Sequence, residues 1–242
     1  MSGRAPKSLA ELRKRVGAVR LRGADAARAR QMLDLYLDTA ERHGQSLDVV
    51  LREVKAGLPA LRIGGAELQG QAASEPVRTA ACAPGCAFCC ILAGDEGAVI
   101  LEAEARHLHA ALAPLAGAPD GRAWSSRACP ALDPDTRMCR AYDARPMICR
   151  TYLSPDSEAC RSIAEGVPAP GPVTLGAQRL YLTVQALGRA ALAGHVTVPT
   201  YALSRIAAAA VEGRDLSAAL REARHKPRTL DDERARLAPP HA

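Results

Sequence analysis

The chain has 242 residues and a mass of 25.5 kDa, enough for one large domain or two small ones. Aromatic residues make up only 3%, so the core has to be built from Ala, Leu, Val and Ile, a composition that favours helix over strand. Seven basic residues against Glu11 alone in positions 1–22 account for the whole net charge of +6, and residues 23–242 sum to zero. The pI near 9.0 therefore describes a basic N-terminus, and a nucleic-acid partner is not expected from it. The sequence has no run of about 18 uncharged apolar residues, which excludes a membrane-spanning helix.

In chain order, Ser8-Leu-Ala-Glu11 reads as a capping box, and Leu9, Leu12, Val16 and Val19 follow along one face of a basic amphipathic helix. Gly23 permits a break. Residues 24–43 and 46–57 read as a helical hairpin, with Ser46 as a cap, Gly44 and Gly57 as stops, and Pro59 just beyond. Residues 64–81 mix Gly, Gln, Ser and Pro76 and are expected to form a linker. Ile91–Ala93 and Ala98–Ile100 flank Gly94-Asp-Glu-Gly97, a candidate hairpin turn, and residues 102–113 form a helix before Pro114. Residues 175–193, 200–211 and 215–225 read as three further helices, and the polar end from Lys226 to Ala242 is expected to fray.

The eight cysteines carry the chemistry, and all lie between Cys82 and Cys160. No apolar run follows the basic N-terminus as in a signal peptide, so a cytoplasmic, reducing location is expected. There, clustered cysteines point to metal or redox sites rather than a disulfide scaffold. The first cluster is Cys82-x3-Cys86-x2-Cys89-Cys90; the second comprises Cys129, Cys139 and Cys149, with Cys160 ten or so residues further on. Short spacers let successive thiolates turn inward on one ion or cluster, Gly85 helps that turn, and longer gaps bring remote ligands to complete four-thiolate sites. Adjacent Cys89 and Cys90 point to opposite faces in extended backbone, so they can serve different centres. Eight thiols allow two four-Cys sites or one site with spare thiols, and the two clusters are expected to converge. Thiolate centres carry net negative charge, which makes Arg145 and Arg150 candidate neighbours that neutralise it; Pro146 can start a short helix beside them.

These residues resemble the YkgJ-type cysteine-cluster family. The resemblance rests on Cys82, Cys86, Cys89 and Cys90, Cys129-Pro130-x-Leu132, Cys139, Tyr142, Arg145-Pro146, Cys149-Arg150, Tyr152 and Cys160, about a third of the chain. The first gap is x3 where the family's CxxCxxCC signature has x2. The resemblance implies zinc or iron chelation, and its members are often labelled iron–sulfur oxidoreductases.

Three readings follow: an iron–sulfur protein with a redox or electron-transfer role and an unidentified protein or redox partner; a structural zinc module that mediates protein interaction; and a radical S-adenosylmethionine enzyme. The last rests on Cys82-x3-Cys86-x-Phe88-Cys89 but needs a strand–helix barrel that the helical flanks do not suggest. His107 and His109, two apart on a helix, cannot easily share a metal and read as surface residues. Trp124 reads as a packing anchor near the second cluster. The expected architecture is mainly α, with a small irregular cysteine-rich metal-binding module at 76–165 flanked by helical regions at 1–75 and 166–242.

Overall fold

The structure is a computed structural model and describes residues 5–91 and 96–239. It is mainly helical. Twelve α-helices are present among the described residues: α1 (Leu9–Ala18), α2 (Ala26–Arg42), α3 (Leu47–Ala56), α4 (Leu58–Gly70), α5 (Glu75–Arg78), α6 (Glu102–Leu112), α7 (Met147–Thr151), α8 (Ser157–Ala164), α9 (Gly176–Ala191), α10 (Leu203–Val211), α11 (Leu216–Glu222) and α12 (Thr229–Arg236). Strands are two residues long: β1 (Val99–Ile100) pairs antiparallel with β4 (Tyr201–Ala202), and β2 (Tyr152–Leu153) with β3 (Val173–Thr174). These two short ladders do not make the barrel that a radical S-adenosylmethionine enzyme requires. No helix among the described residues is long and apolar enough to cross a membrane.

The chain divides into two compact units. The first takes residues 1–70, 176–199 and 227–242. Its centre is α9, buried on nearly every side, and α1, α2, α3, α4 and α12 pack against it. Leu12, Leu33, Leu37, Tyr181, Leu182 and Leu187 are fully buried there. The Ser8 hydroxyl accepts the Glu11 N–H at 3.1 Å, Ser46 caps α3, and Gly57 ends it at φ +87°. Arg13 is held between Asp34 and Asp38, with Nε–Oδ1 2.9 Å and Nη1–Oδ1 2.8 Å, so this basic group is committed within the unit.

Two expectations fail here. Part of the expected linker is helical, because α4 runs through Gly64 and Gly65 to Gly70, and α5 follows it. Pro59 sits in the first turn of α4, where its missing N–H costs nothing, and Ile63 supplies a buried contact. The polar end is also ordered as α12: Leu230 is fully buried, and Arg234 donates to the Arg22 carbonyl at 3.1 Å.

The second unit takes residues 71–175 and 200–226. Helices α6, α10 and α11 pack together over a core of Ile100, Leu108, Leu112, Leu132, Ile206 and many alanines. The expected hairpin about residues 94–97 is only partly assessable, since 92–95 lie outside the described residues. Its flanks nevertheless have other partners, Ile91 bridging Ala128 and Val99–Ile100 pairing with Tyr201–Ala202. His109 is a buried core residue rather than a surface one, its Nε2 lying 2.8 Å from the Arg214 carbonyl oxygen, whereas His107 is exposed.

Candidate metal centre

The first cluster is shaped by two tight turns. Gly85 takes φ +80°, a conformation that a side chain would strain, and a Cβ there would also press on the Thr136 carbonyl oxygen at 3.2 Å. Phe88–Cys90 then form a single 3₁₀ turn. The second cluster is a short hairpin: Leu132 bridges Cys139, the Arg140 N–H donates to Ala131 at 2.8 Å, and the Asp133 carboxylate closes the tip by accepting the Thr136 N–H and hydroxyl, both at 2.8 Å. The backbone joins the two clusters directly. The Cys129 N–H donates to the Cys90 carbonyl at 2.8 Å beside the Ile91–Ala128 bridge.

Cys149 arrives on α7, which follows Pro146. That helix is tied to α6 by Glu104, whose carboxylate accepts the Met147 N–H at 2.7 Å and the Leu101 N–H at 2.9 Å. Cys160 arrives on α8, which packs on the Phe88–Cys90 turn and places the Arg161 guanidinium 5.4 Å from the Phe88 ring centre. Asp156 caps α8 by accepting the Glu158 and Ala159 N–H groups at 2.8 and 3.0 Å. Trp124 packs against the core beside the second cluster, with Arg137 above its ring at 5.6 Å.

The eight thiols are all free. Cys129 is buried, Cys82 and Cys89 are exposed, and the other five lie between. Burial raises the Cys129 thiol to about 12, and it raises Cys149 well above the usual thiol range, with the neighbouring Cys129, Cys139, Cys89 and Glu104 adding to the effect. Cys139 is raised by burial against the pull of the Ala141 N–H, Arg145 and Arg140. Cys89 and Cys90 lie 4.0 Å apart, sulfur to sulfur. Their shared hydrogen bond lowers Cys89 to about 7, helped by its own N–H and by Arg145, and raises Cys90. Cys86 is raised by burial and by Cys82, against the Phe88 N–H. The backbone N–H two residues ahead pulls each of the Cys86, Cys129 and Cys139 thiols downward against the effect of burial.

Arg145 stacks on the exposed Tyr142 ring at 3.7 Å and bears electrostatically on Cys89 and Cys139. Arg150 is placed differently, donating to the Arg145 and Asp143 carbonyls at 2.8 Å each, so it braces the loop. Arg140, one of the four arginines in residues 137–152 from which the sequence singled out Arg145 and Arg150, also acts on Cys139 and donates to the Pro119 carbonyl at 3.0 Å. Sequence reasoning missed Glu104, whose role depends on a contact 43 residues away and which has no local signal beyond its charge.

The donor chemistry suits a thiophilic ion. The site offers thiols and nearby guanidinium groups; its buried carboxylate neighbours are already occupied, Glu104 by backbone N–H groups and Asp120 by Arg122. Among the described residues no three His, Cys, Asp or Glu already stand in metal-holding geometry, so the thiols are gathered but not closed. The thiols available to zinc or an iron–sulfur group are those of Cys82, Cys86, Cys89, Cys90, Cys129, Cys139, Cys149 and Cys160.

Fold and site together define a helical protein with a thiol-rich segment suited to metal chelation. Residues 81–165, about a third of the chain, match the model of the CxxCxxCC family, described as a "putative zinc- or iron-chelating domain". No curated protein and no solved structure matches the chain.

Proposed function

We propose that the cysteine segment holds an iron–sulfur centre through its thiolates and serves redox or electron-transfer chemistry with a protein partner. The observation that carries this reading is the convergence of both cysteine clusters, joined at Cys90–Cys129, in a donor set made of sulfur alone. When bound, such a cluster supplies a one-electron couple. The chain's own residues would ligate it, shield it with the Ala-rich core, and tune it through the Ala131 and Ala141 N–H groups and Arg145. The exposed Tyr142–Arg145 stack beside Cys89 offers a polar docking edge for that partner.

A second reading is a structural zinc module. It is favoured by the packing of Cys129 in the core of a unit whose strands are only two residues long, where a closed four-thiolate ion would replace missing regular structure.

Anaerobic purification with iron, sulfide and zinc analysis and a visible spectrum separates the two. Brown protein with labile sulfide supports the cluster, and colourless protein with stoichiometric zinc supports the structural module. Metal-free anaerobic protein whose eight thiols all react freely would end both readings.

A further inference from the structure

We propose that the eight thiols divide into two four-thiol centres, an inner one of Cys90, Cys129, Cys139 and Cys149 and an outer one of Cys82, Cys86, Cys89 and Cys160. This rests on the reading that the segment binds metal, and deepens it.

Core packing supplies the first observation. Cys129 belongs to the buried cluster formed with Ala131, Leu132, Ala141 and Ala144, and Cys90, Cys139 and Cys149 pack against that same cluster. The other four cysteines are not part of it. Contact with that cluster therefore separates the thiols four and four.

The backbone supplies the second. Phe88–Cys90 is a 3₁₀ turn, and within it Cys90 packs on the core while Cys89 is exposed, their sulfurs remaining 4.0 Å apart. The inner set is then assembled by the Cys90–Cys129 backbone bond, the Leu132–Cys139 hairpin and α7.

The outer set has its own framework. The Ala81 N–H donates to the Ser154 carbonyl at 2.8 Å, and the Cys82 thiol lies 3.8 Å from the same oxygen. Ser154 is buried and bonds to Asp156, the cap of the helix that carries Cys160. That helix packs on the 3₁₀ turn, so the element carrying Cys160 belongs with the first cluster. The 4.0 Å between Cys89 and Cys90 sets the two centres side by side. Four sulfurs would complete the inner set, and a closed tetrahedral ion has no place for a fifth.

The test uses reduced, metal-free full-length protein titrated anaerobically with cobalt(II) and with zinc(II). Thiolate-to-cobalt absorption reads the stoichiometry, and native alkylation with mass spectrometry reads which thiols are protected. Two equivalents are expected. Cys82→Ser and Cys160→Ser should each lose one of the two and expose the remaining outer thiols to alkylation, with Cys90, Cys129, Cys139 and Cys149 still protected. Cys139→Ser should give the converse pattern, and because that variant disturbs the core, the two outer variants decide the matter. One equivalent in the parent protein, lost on replacing any of the eight, overturns the partition while leaving metal binding intact. So does continued protection of Cys89 alongside the inner thiols in Cys82→Ser. No uptake of either metal, with no cluster formed on iron and sulfide addition, overturns the metal reading and the partition together.

Discussion

Glu104 offers the sharpest test of how the inner thiols are positioned. Its two oxygens accept separate buried N–H groups, Leu101 at the start of α6 and Met147 at the start of α7, the helix that carries Cys149. Glu104→Ala removes both acceptors and leaves two donors in a site where Glu104 and Met147 are themselves buried. Each hydrogen bond to a charged group is worth about 1.5–3 kcal/mol, and an unsatisfied buried donor costs about the same. A loss of about 3–4 kcal/mol is therefore expected after partial relaxation. Glu104→Gln keeps one carbonyl oxygen and should cost about half as much, because its NH₂ group cannot accept. Urea unfolding followed by circular dichroism measures the stability, and cobalt(II) titration measures the site. Glu104→Ala should weaken binding at the centre containing Cys149, with Cys82 and Cys160 remaining protected from alkylation. If Glu104→Ala unfolds within 0.5 kcal/mol of the parent, or if Gln costs as much as Ala, the bridging role is refuted.

Three further outcomes are expected. A Cβ on Gly121 would run into the Cys129 carbonyl oxygen and approach the Leu132 Cβ to 2.9 Å, so Gly121→Ala should cost about 2 kcal/mol in urea unfolding and lower cobalt occupancy at the inner thiols. Asp156→Ala removes the cap of α8 and should cost about 1 kcal/mol, and alkylation mapping should show Cys160 exposed while Cys129 stays protected. The Asp34 carboxyl is held below its usual value of 3.8 chiefly by its hydrogen bonds to Arg13, so that pair stabilises the fold above pH 3.8 and ceases to do so as pH falls through the depressed value. Arg13→Met should therefore be less stable near neutral pH by no more than about 1 kcal/mol, since the pair is partly exposed, and its urea midpoint should converge on that of the parent in acid.

The helices were legible wherever apolar spacing and caps agreed, as at Ser8 and Ser46, because those signals act within a few residues. Failures came where distant packing overrode local composition. Gly64, Gly65 and Gly70 lower helix propensity, yet the face of α4 that packs on α9 outweighs them. Leu230 anchors an otherwise charged α12 in the same way. The cysteine candidates were legible from type and spacing alone. What spacing does not contain is that Thr200–Lys226 folds with the cysteine segment, or that Glu104 reaches α7, since both depend on contacts across tens of residues. His109 was misjudged for a related reason: its helix face is decided by the Arg214 carbonyl, more than a hundred residues ahead.

Burial also sets the protonation of the thiols that pack on the core. A neutral thiol behaves as a small apolar side chain, and desolvation raises Cys129 and Cys149 so that their neutral forms persist in a core of alanines and leucines. That core can therefore pack before any metal arrives. A metal held by these thiols would have to displace their protons, and the Ala131 and Ala141 N–H groups, with Arg140 and Arg145, would favour the thiolates that result. Cys89 differs, being exposed and lowered to about 7 by its hydrogen bond with Cys90. The segment thus combines core-like cysteines held neutral by burial with a surface cysteine whose thiol is lowered.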